Sequence, residues 1–434
     1  MEFLADNNIS GDPGQAPSAG AGSGIGAGAV AGAGTGARSG EADYSRIRPV
    51  WAEIDLDSFA WNIQRIRLAT GAGAMICASM KSNAYGHGAE RIAREALANG
   101  AERLSVAILD EAIELRRSGI GAPILILGAL ESERADEVIA NNLTQTIGSQ
   151  AEAAALSKAA RLMDAKAGIH IKLDTGMGRL GFLCENPSVI EDIVAACSMP
   201  NIRAEGIFTH FAASDDADAR FTERQLGKYN AVCAELAQRG LTFPIRHCSN
   251  SAAISGFPDA HLNMVRPGIA LYGGAGKLPG EHHRDLSLRR VMSLRARIAL
   301  VKDIPVGSSV GYGRKFIAGR AAKIATLPLG YGDGYNRKLS CGIGEILIGG
   351  RRLPVAGIIC MDQCMVDATD LADVKTGDEA VLFGRQGGDE VTLEELSEKI
   401  GTIPYEIMCS INRRVPRIYT QNGKICGCVN YLLR

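Results

Sequence analysis

The sequence is short of several things at once. Its 47 Lys and Arg nearly cancel its 48 Asp and Glu, leaving a net charge of −1. With no general basic excess, a nucleic-acid partner is not expected. No run of 18 or more apolar residues occurs, so no membrane span is expected. The eleven cysteines are odd in number and scattered from Cys77 to Cys428, which is not the even framework of a secreted disulfide scaffold. The only close pairs, Cys360 with Cys364 and Cys426 with Cys428, lack the companion pairs or histidines of a zinc site, so no metal is expected. Free thiols in a reducing cytoplasm fit this usage. The chain opens MEFLADNN, which is acidic where a secretory signal needs a basic start and an apolar stretch.

Glycine is what the chain has in excess: 52 of 434 residues, about 12% against a usual share of roughly 7%. Eleven of the 52 fall in residues 1–40, and residues 18–40 are nearly all small. Glycine loses the most backbone entropy on ordering and has no side chain to bury. Residues 1–44 are therefore expected to be a disordered Gly/Ala-rich tail. The rest is globular in composition, at 46% hydrophobic and 22% charged overall, with length for two to three domains.

From residue 74 short apolar runs alternate with amphipathic segments. The candidate strands are 74–79, 104–108, 123–127, 143–147, 168–173, 203–209, 245–248 and 264–270. Near-continuous apolar character is that of parallel strands buried on both faces. Helical patterns such as 90–100, 110–119 and 224–240 lie between them, and several stop at glycine. Eight units in about 200 residues fit an α/β fold built as a (β/α)8, TIM-like barrel. A doubly wound open sheet is the alternative, but no GxGxxG follows the first strand. After residue 288 strand-like segments with glycine-rich turns follow, at 294–304, 322–330, 344–360 and 379–384, with a short helix at 393–401. The expected organisation is a barrel over 45–287 and a mostly β domain over 288–434. The strand at 49–56 precedes the barrel and is a candidate to cross into that second domain.

Barrel active sites lie at the C-terminal ends of the strands. There the chain places Lys81, Lys172, His210, His247, Asn250, Ser251 and Arg266. A lysine at a barrel mouth loses hydration, which favours its amine form and suits Schiff-base chemistry. An ion-paired lysine at the rim is the plainer alternative.

The wider pattern separates these. KSNAYGHG (81–88), KLDTGMGRLG (172–181), THFA (209–212), HCSNSAA (247–253), MVRPGIALYG (264–273), VGYGR (310–314), PLGYGDGYNR (328–337) and CMDQCMVD (360–367) stand in one order over about residues 48–420. Together they resemble the alanine racemases. The resemblance implies a cytoplasmic homodimer that uses pyridoxal 5'-phosphate to interconvert L- and D-alanine for peptidoglycan. Lys81 would carry the cofactor and act as base on the D-substrate. Tyr312 would come from the second subunit and act on the L-substrate, with His210 near it. Racemisation needs a base on each face of the cofactor, and two bases provide this without turning the substrate. Arg266 would face the pyridine nitrogen, oriented by His247. A guanidinium does not give its proton away, so the ring stays a weak electron sink and side reactions are limited. Gly268, Ile269, Tyr85, Ser251 and Asn250 would hold the phosphate. Arg179 and the Met361 backbone would meet the substrate carboxylate, with Tyr331 and Asp362 toward the entrance and substrate end. Lys172 matches a lysine that is carbamylated in many members; a simple pair with Asp174 is the alternative. One departure stands out: where some members carry a tyrosine before RVPR, this chain has Arg413. A racemase of serine or a basic amino acid, or a non-catalytic pyridoxal phosphate carrier, are the remaining readings. A carrier would lack the second domain.

Overall fold

The computed structural model describes residues 47–274 and 278–433. The tail expected over 1–44 lies outside the described residues. Eight parallel strands run Met75–Ser79, Arg103–Val106, Ile124–Ile126, Thr144–Ile147, Ala167–Asp174, Ile202–Phe208, Ile245–His247 and Met264–Val265. The first seven pair in sequence order, and the eighth pairs with the first. Between the seventh and eighth, Asn263 N–H donates to the Arg246 carbonyl at 3.3 Å and Arg266 N–H to Ser249 at 2.9 Å. These bonds complete the ring, so the sheet is a barrel and not an open doubly wound sheet. The eighth strand stops after Val265, short of the expected 270. Pro267 has no N–H for a ladder, and the chain turns into a 3-10 segment, Ile269–Tyr272.

Helices pack outside the ring, among them Ala89–Ala98, Leu109–Arg117 and Arg220–Gln238. The first helix, Leu56–Thr70, starts where Asp55 accepts the N–H groups of Asp57 and Ser58, and ends at Gly71.

The C-terminal domain is mostly β. Its larger sheet runs Arg351–Pro354, Glu345–Ile348, Glu379–Gln386, Met292–Arg297, Val50–Asp55, Arg417–Gln421, Lys424–Val429. Val50–Asp55 thus sits inside this sheet, antiparallel to Met292–Arg297 and parallel to Arg417–Gln421. It leads directly into the first barrel helix, so one covalent segment serves both layers. A smaller sheet joins Leu300–Ile304, Ala322–Leu327 and Cys364–Asp367. The run read as one strand at 294–304 is two strands in different sheets, and 344–360 is a hairpin followed by a loop. Buried residues of the barrel and the larger sheet, such as Phe59, Tyr272, Leu294 and Phe383, belong to one continuous apolar core. Among the described residues, no helix is long and apolar enough to cross a membrane, and no group of three or more His, Cys, Asp or Glu is placed to hold a metal. All eleven cysteines are free.

Candidate functional site

A cavity of about 630 Å³ opens at the C-terminal ends of the barrel strands. Lys81 enters it two residues past the end of the first barrel strand. Burial, then the charge of Arg179, hold its ammonium below the ordinary lysine range. The turn that carries it is unusual. Ser82, Asn83, Ala84 and Tyr85 all have φ between 52° and 54°, a left-handed turn of four non-glycine residues, each strained by roughly 1–2 kcal/mol. The environment holds it in place. Asn83 Oδ1 accepts Ala89 N–H at 2.8 Å, and Gly88 N–H donates to the Asn83 carbonyl at 3.0 Å. His87, fully buried, has Nδ1 2.9 Å from both the Ala84 and Tyr85 carbonyls. Two acceptors require the proton on Nδ1, and burial pushes the ring's pKa down to about 3, so it is a neutral donor. The result points Tyr85 along the cavity wall with its ring 5.8 Å from Lys81 Nζ.

Tyr85, Ser251 and Gly268 meet at one end of the cavity. Ser251 Oγ accepts the N–H groups of Gly268 at 2.9 Å and Ala270 at 3.2 Å. A Cβ on Gly268 would stand 2.5 Å from Tyr85 Oη, so only glycine fits without displacing the tyrosine. Ile269 lines the same end. Asn250 does too, but its Oδ1 is committed to Ala253 N–H at 3.0 Å and to Ser214 Oγ at 2.8 Å, as the cap of helix Ser251–Gly256. Burial raises the Tyr85 phenol well above its ordinary value, so it stays a neutral donor.

Arg266 is 6% exposed and crosses the cavity floor. Its Nη1 donates to His247 Nδ1 at 2.6 Å and to the His247 carbonyl at 3.0 Å. Its Nη2 donates to the Thr209 and Cys248 carbonyls at 2.8 and 3.0 Å and lies 3.5 Å from His210 Nδ1. Among the described residues no carboxylate forms an ion pair with it. Burial lowers its pKa to about 10, still a cation at neutral pH. His247 stacks on Phe208 with centroids 4.5 Å apart. His210 and His247 are both held well below the ordinary imidazole value, by burial first and the Arg266 charge next.

Lys172 is buried in the same wall. Its Nζ donates to the Leu173 carbonyl at 3.0 Å. Lys172 makes no ion pair with Asp174. Asp174 Oδ1 instead accepts the N–H groups of Gly176, Met177 and Gly178 at 3.0, 2.9 and 3.1 Å, which shapes the turn that presents Arg179 to the cavity. Burial, then the Arg266 charge, bring the Lys172 pKa down to about 7.

Not every expected residue joins this cavity. Tyr312, Met361 and Asp362 line a separate one of about 600 Å³ in the C-terminal domain. Tyr312 is 71% exposed, in a turn between Gly311 and Gly313 whose φ values are 73° and 67°. Within one chain His210 therefore meets Arg266 and not Tyr312. Asp362 pairs with Arg414 at 2.6 Å. Tyr331 is exposed beside the Cys360–Met361 backbone, its N–H donating to the Cys360 carbonyl at 3.1 Å. The glycine before it permits that approach, since a Cβ on Gly330 would lie 2.0 Å from the Cys360 oxygen. Much of PLGYGDGYNR is thus architectural: its Asp333, fully buried, accepts from Arg48 and anchors the loop. Arg413 reaches away to the Tyr431 carbonyl at 3.4 Å and does not line the barrel cavity.

Sequence reasoning missed His87, and it missed His170, Arg103 and Glu205, which lie behind His247 in the barrel interior. A signal for His170 was present: it is two residues before Lys172 in a strand, hence on the same inward face.

A barrel that carries its lysine just after the first strand, joined to a C-terminal β domain, is an architecture this chain shares with solved amino-acid racemases. The chain belongs to the alanine racemase family: the model of the alanine racemase N-terminal domain matches residues 54–276 and that of the C-terminal domain residues 291–419. Alanine racemase of Clostridium tetani is 45% identical over 391 residues, covering 90% of this chain and all of that protein. The solved alanine racemase of Clostridium difficile 630 aligns with a TM-score of 0.84 at 38% identity, over 89% of this chain and all of that one. A histidine racemase from Leuconostoc mesenteroides aligns at 0.78 and 26% identity, over 87% of this chain and 99% of that one.

Proposed function

We propose that this protein interconverts L- and D-alanine with pyridoxal 5'-phosphate, as a homodimer whose two sites each draw on both subunits. The observation that carries the reading is the single cavity that gathers the Lys81 amine, the Arg266 guanidinium and the Ser251–Gly268 cradle. These residues fit the cofactor: an amine with weakened hold on its proton, a cation for a ring nitrogen, and a glycine-floored end for a phosphate. When bound, the cofactor supplies an aldehyde for amines and a conjugated ring that takes up the electron pair left at the substrate α-carbon. Tyr85, Ser251, Gly268 and Ile269, with Asn250 behind them, hold the phosphate. Arg266 donates toward the pyridine nitrogen without surrendering its proton, and His247 fixes its orientation.

Lys81 Nζ takes or returns the α-proton on one face. Tyr312 Oη of the partner subunit does so on the other. Its exposure, and its position in a cavity apart from Lys81, support a role across an interface. Tyrosine has an unperturbed pKa near 10, so it needs assistance, and His210 is the neutral imidazole placed at the barrel mouth to give it. Arg179 binds the substrate carboxylate, held by Lys172, whose unpaired amine is a nucleophile for CO2; the C–N bond that forms releases one proton and leaves an anion. The partner subunit's Met361 also meets the substrate carboxylate through its backbone, and the partner's Tyr331 and the partner's Asp362 lie toward the entrance and substrate end. Residues 45–287 form the cofactor domain and 288–434 the second domain. The product is D-alanine for peptidoglycan, made in the cytoplasm.

The histidine racemase neighbour shows that the fold admits another substrate, but Arg413 brings no new charge into the barrel cavity of its own chain. Incubation of the loaded enzyme with a panel of L-amino acids, read by chiral chromatography, should give D-alanine as the fastest product. A faster serine or basic product contradicts the alanine assignment; no D-product from any amino acid contradicts the racemase.

A further inference from the structure

Behind His247 the polar contacts continue. His247 Nε2 lies 2.8 Å from His170 Nδ1. His170 Nε2 faces Arg103 Nη1 at 3.4 Å and Glu205 Oε2 at 3.9 Å. Arg103 pairs with Glu205 at 3.0 Å, Arg203 pairs with its other oxygen at 2.5 Å, and Thr144 Oγ1 lies 3.4 Å away. Both imidazoles are fully buried.

Donor bookkeeping gives this row a direction. Arginine only donates, so Arg266 Nη1–H must give its hydrogen bond to His247 Nδ1. A neutral His247 then carries its proton on Nε2 and donates to His170 Nδ1. His170 in turn carries its proton on Nε2. That N–H faces Arg103 Nη1 at 3.4 Å, which cannot accept, and the Glu205 carboxylate at 3.9 Å, whose negative charge favours a proton on that side. Glu205 is thus the carboxylate at which the row ends: at 3.9 Å it lies beyond hydrogen-bond distance, and it acts on the imidazole through its charge, which also offsets that of Arg103.

The backbone is built for this contact. Ile169 pairs with Ala204 and His170 with Gly206, leaving Glu205 as the extra residue of a β-bulge, a device that re-aims a side chain. A Cβ on Gly206 would stand 2.7 Å from the His170 ring, so glycine there makes room for the imidazole.

We propose that Glu205 is a remote positioning residue for Arg266, acting through His170 and His247 to keep the guanidinium's N–H groups directed along this row and its remaining face toward the ring nitrogen. The inference rests on the pyridoxal phosphate reading. Without the carboxylate's charge, nothing opposes donation from Arg103 Nη1, already 3.4 Å away, to His170 Nε2, which favours the Nδ1–H form of His170. His247 Nε2 then meets a donor, and the bond to Arg266 is lost.

The chain has only seven histidines, so 15N-histidine NMR of the loaded full-length enzyme can resolve them. In the unmodified protein both His170 and His247 are expected as neutral Nε2–H tautomers. In Glu205→Gln, His170 is expected to switch to Nδ1–H, with kcat lower by about tenfold, a usual size for loss of an outer partner, KM little changed, and partial recovery in Glu205→Asp. An Nδ1–H His170 in the unmodified protein overturns the proposal, and does so even if the variant fails to fold. So does a Glu205→Gln enzyme with unchanged tautomers or unchanged kcat. Failure of the cofactor reading is read separately, as absence of the lysine-bound cofactor absorbance in the unmodified enzyme.

Discussion

Lys172 shows how much one side chain can depend on its surroundings. It is buried with a backbone carbonyl as its hydrogen-bond acceptor, and its pKa falls to about 7. An unfolded chain holds that proton up to roughly pH 10.4. Between these values the unfolded state binds more protons than the folded one, so stability contributed by this group rises with pH across the window and is absent below it. Lys172→Met should flatten that rise, seen as urea midpoints that differ less between the two ends of the window in CO2-free buffer. In bicarbonate, intact mass under gentle ionisation should show one added CO2 on the parent chain and none on the variant. A parent mass without the adduct removes the carbamate from the account.

At the residue scale the sequence was most informative about Lys81 and Arg266, whose flanking motifs are long and specific. It was least informative about Glu205, which lacks even the spacing that relates His170 to Lys172. Strands buried on both faces lose the polar–apolar alternation that marks an inward side chain. The bulge at Glu205 then shifts the register by one, and the one mark of it in RAEGIF is the single glycine, Gly206.

Among the elements, the left-handed turn after the first barrel strand has the most consequence for the site. It sets Lys81 and Tyr85 on one wall, and it is held by Asn83, His87 and backbone bonds rather than by glycine. Ser82 is the exposed member of the turn. Ser82→Gly removes a Cβ from a left-handed position at little cost in burial, so it should stabilise the fold by about 1 kcal/mol, measured as a higher urea midpoint. A lower midpoint would mean that the serine side chain contributes more than its backbone strain costs. Barrel strands and helices were legible because each is a short apolar run or a 3.6-residue stripe. The turn was not, since no glycine marks it. The eighth strand was overread because its apolar run continues past Pro267, where the ladder cannot.

For the whole molecule, the division of residues between two cavities is the main finding. Lys81, Arg266 and the Ser251–Gly268 cradle share one, and Tyr312 and Met361 share another. A sequence lists such residues in one line and cannot say which belong to one chain's site. The strand Val50–Asp55, set between Met292–Arg297 and Arg417–Gln421, fixes the C-terminal domain to the start of the barrel. A shared site would therefore draw the Tyr312 turn from a second copy and not from a swing of its own. Complementation tests this most directly. Lys81→Ala and Tyr312→Phe homodimers should each be inactive on alanine. Mixed under conditions that exchange subunits, they should regain activity, because half of the sites in each heterodimer hold both intact residues. Subunit exchange with no recovered activity would contradict the shared site.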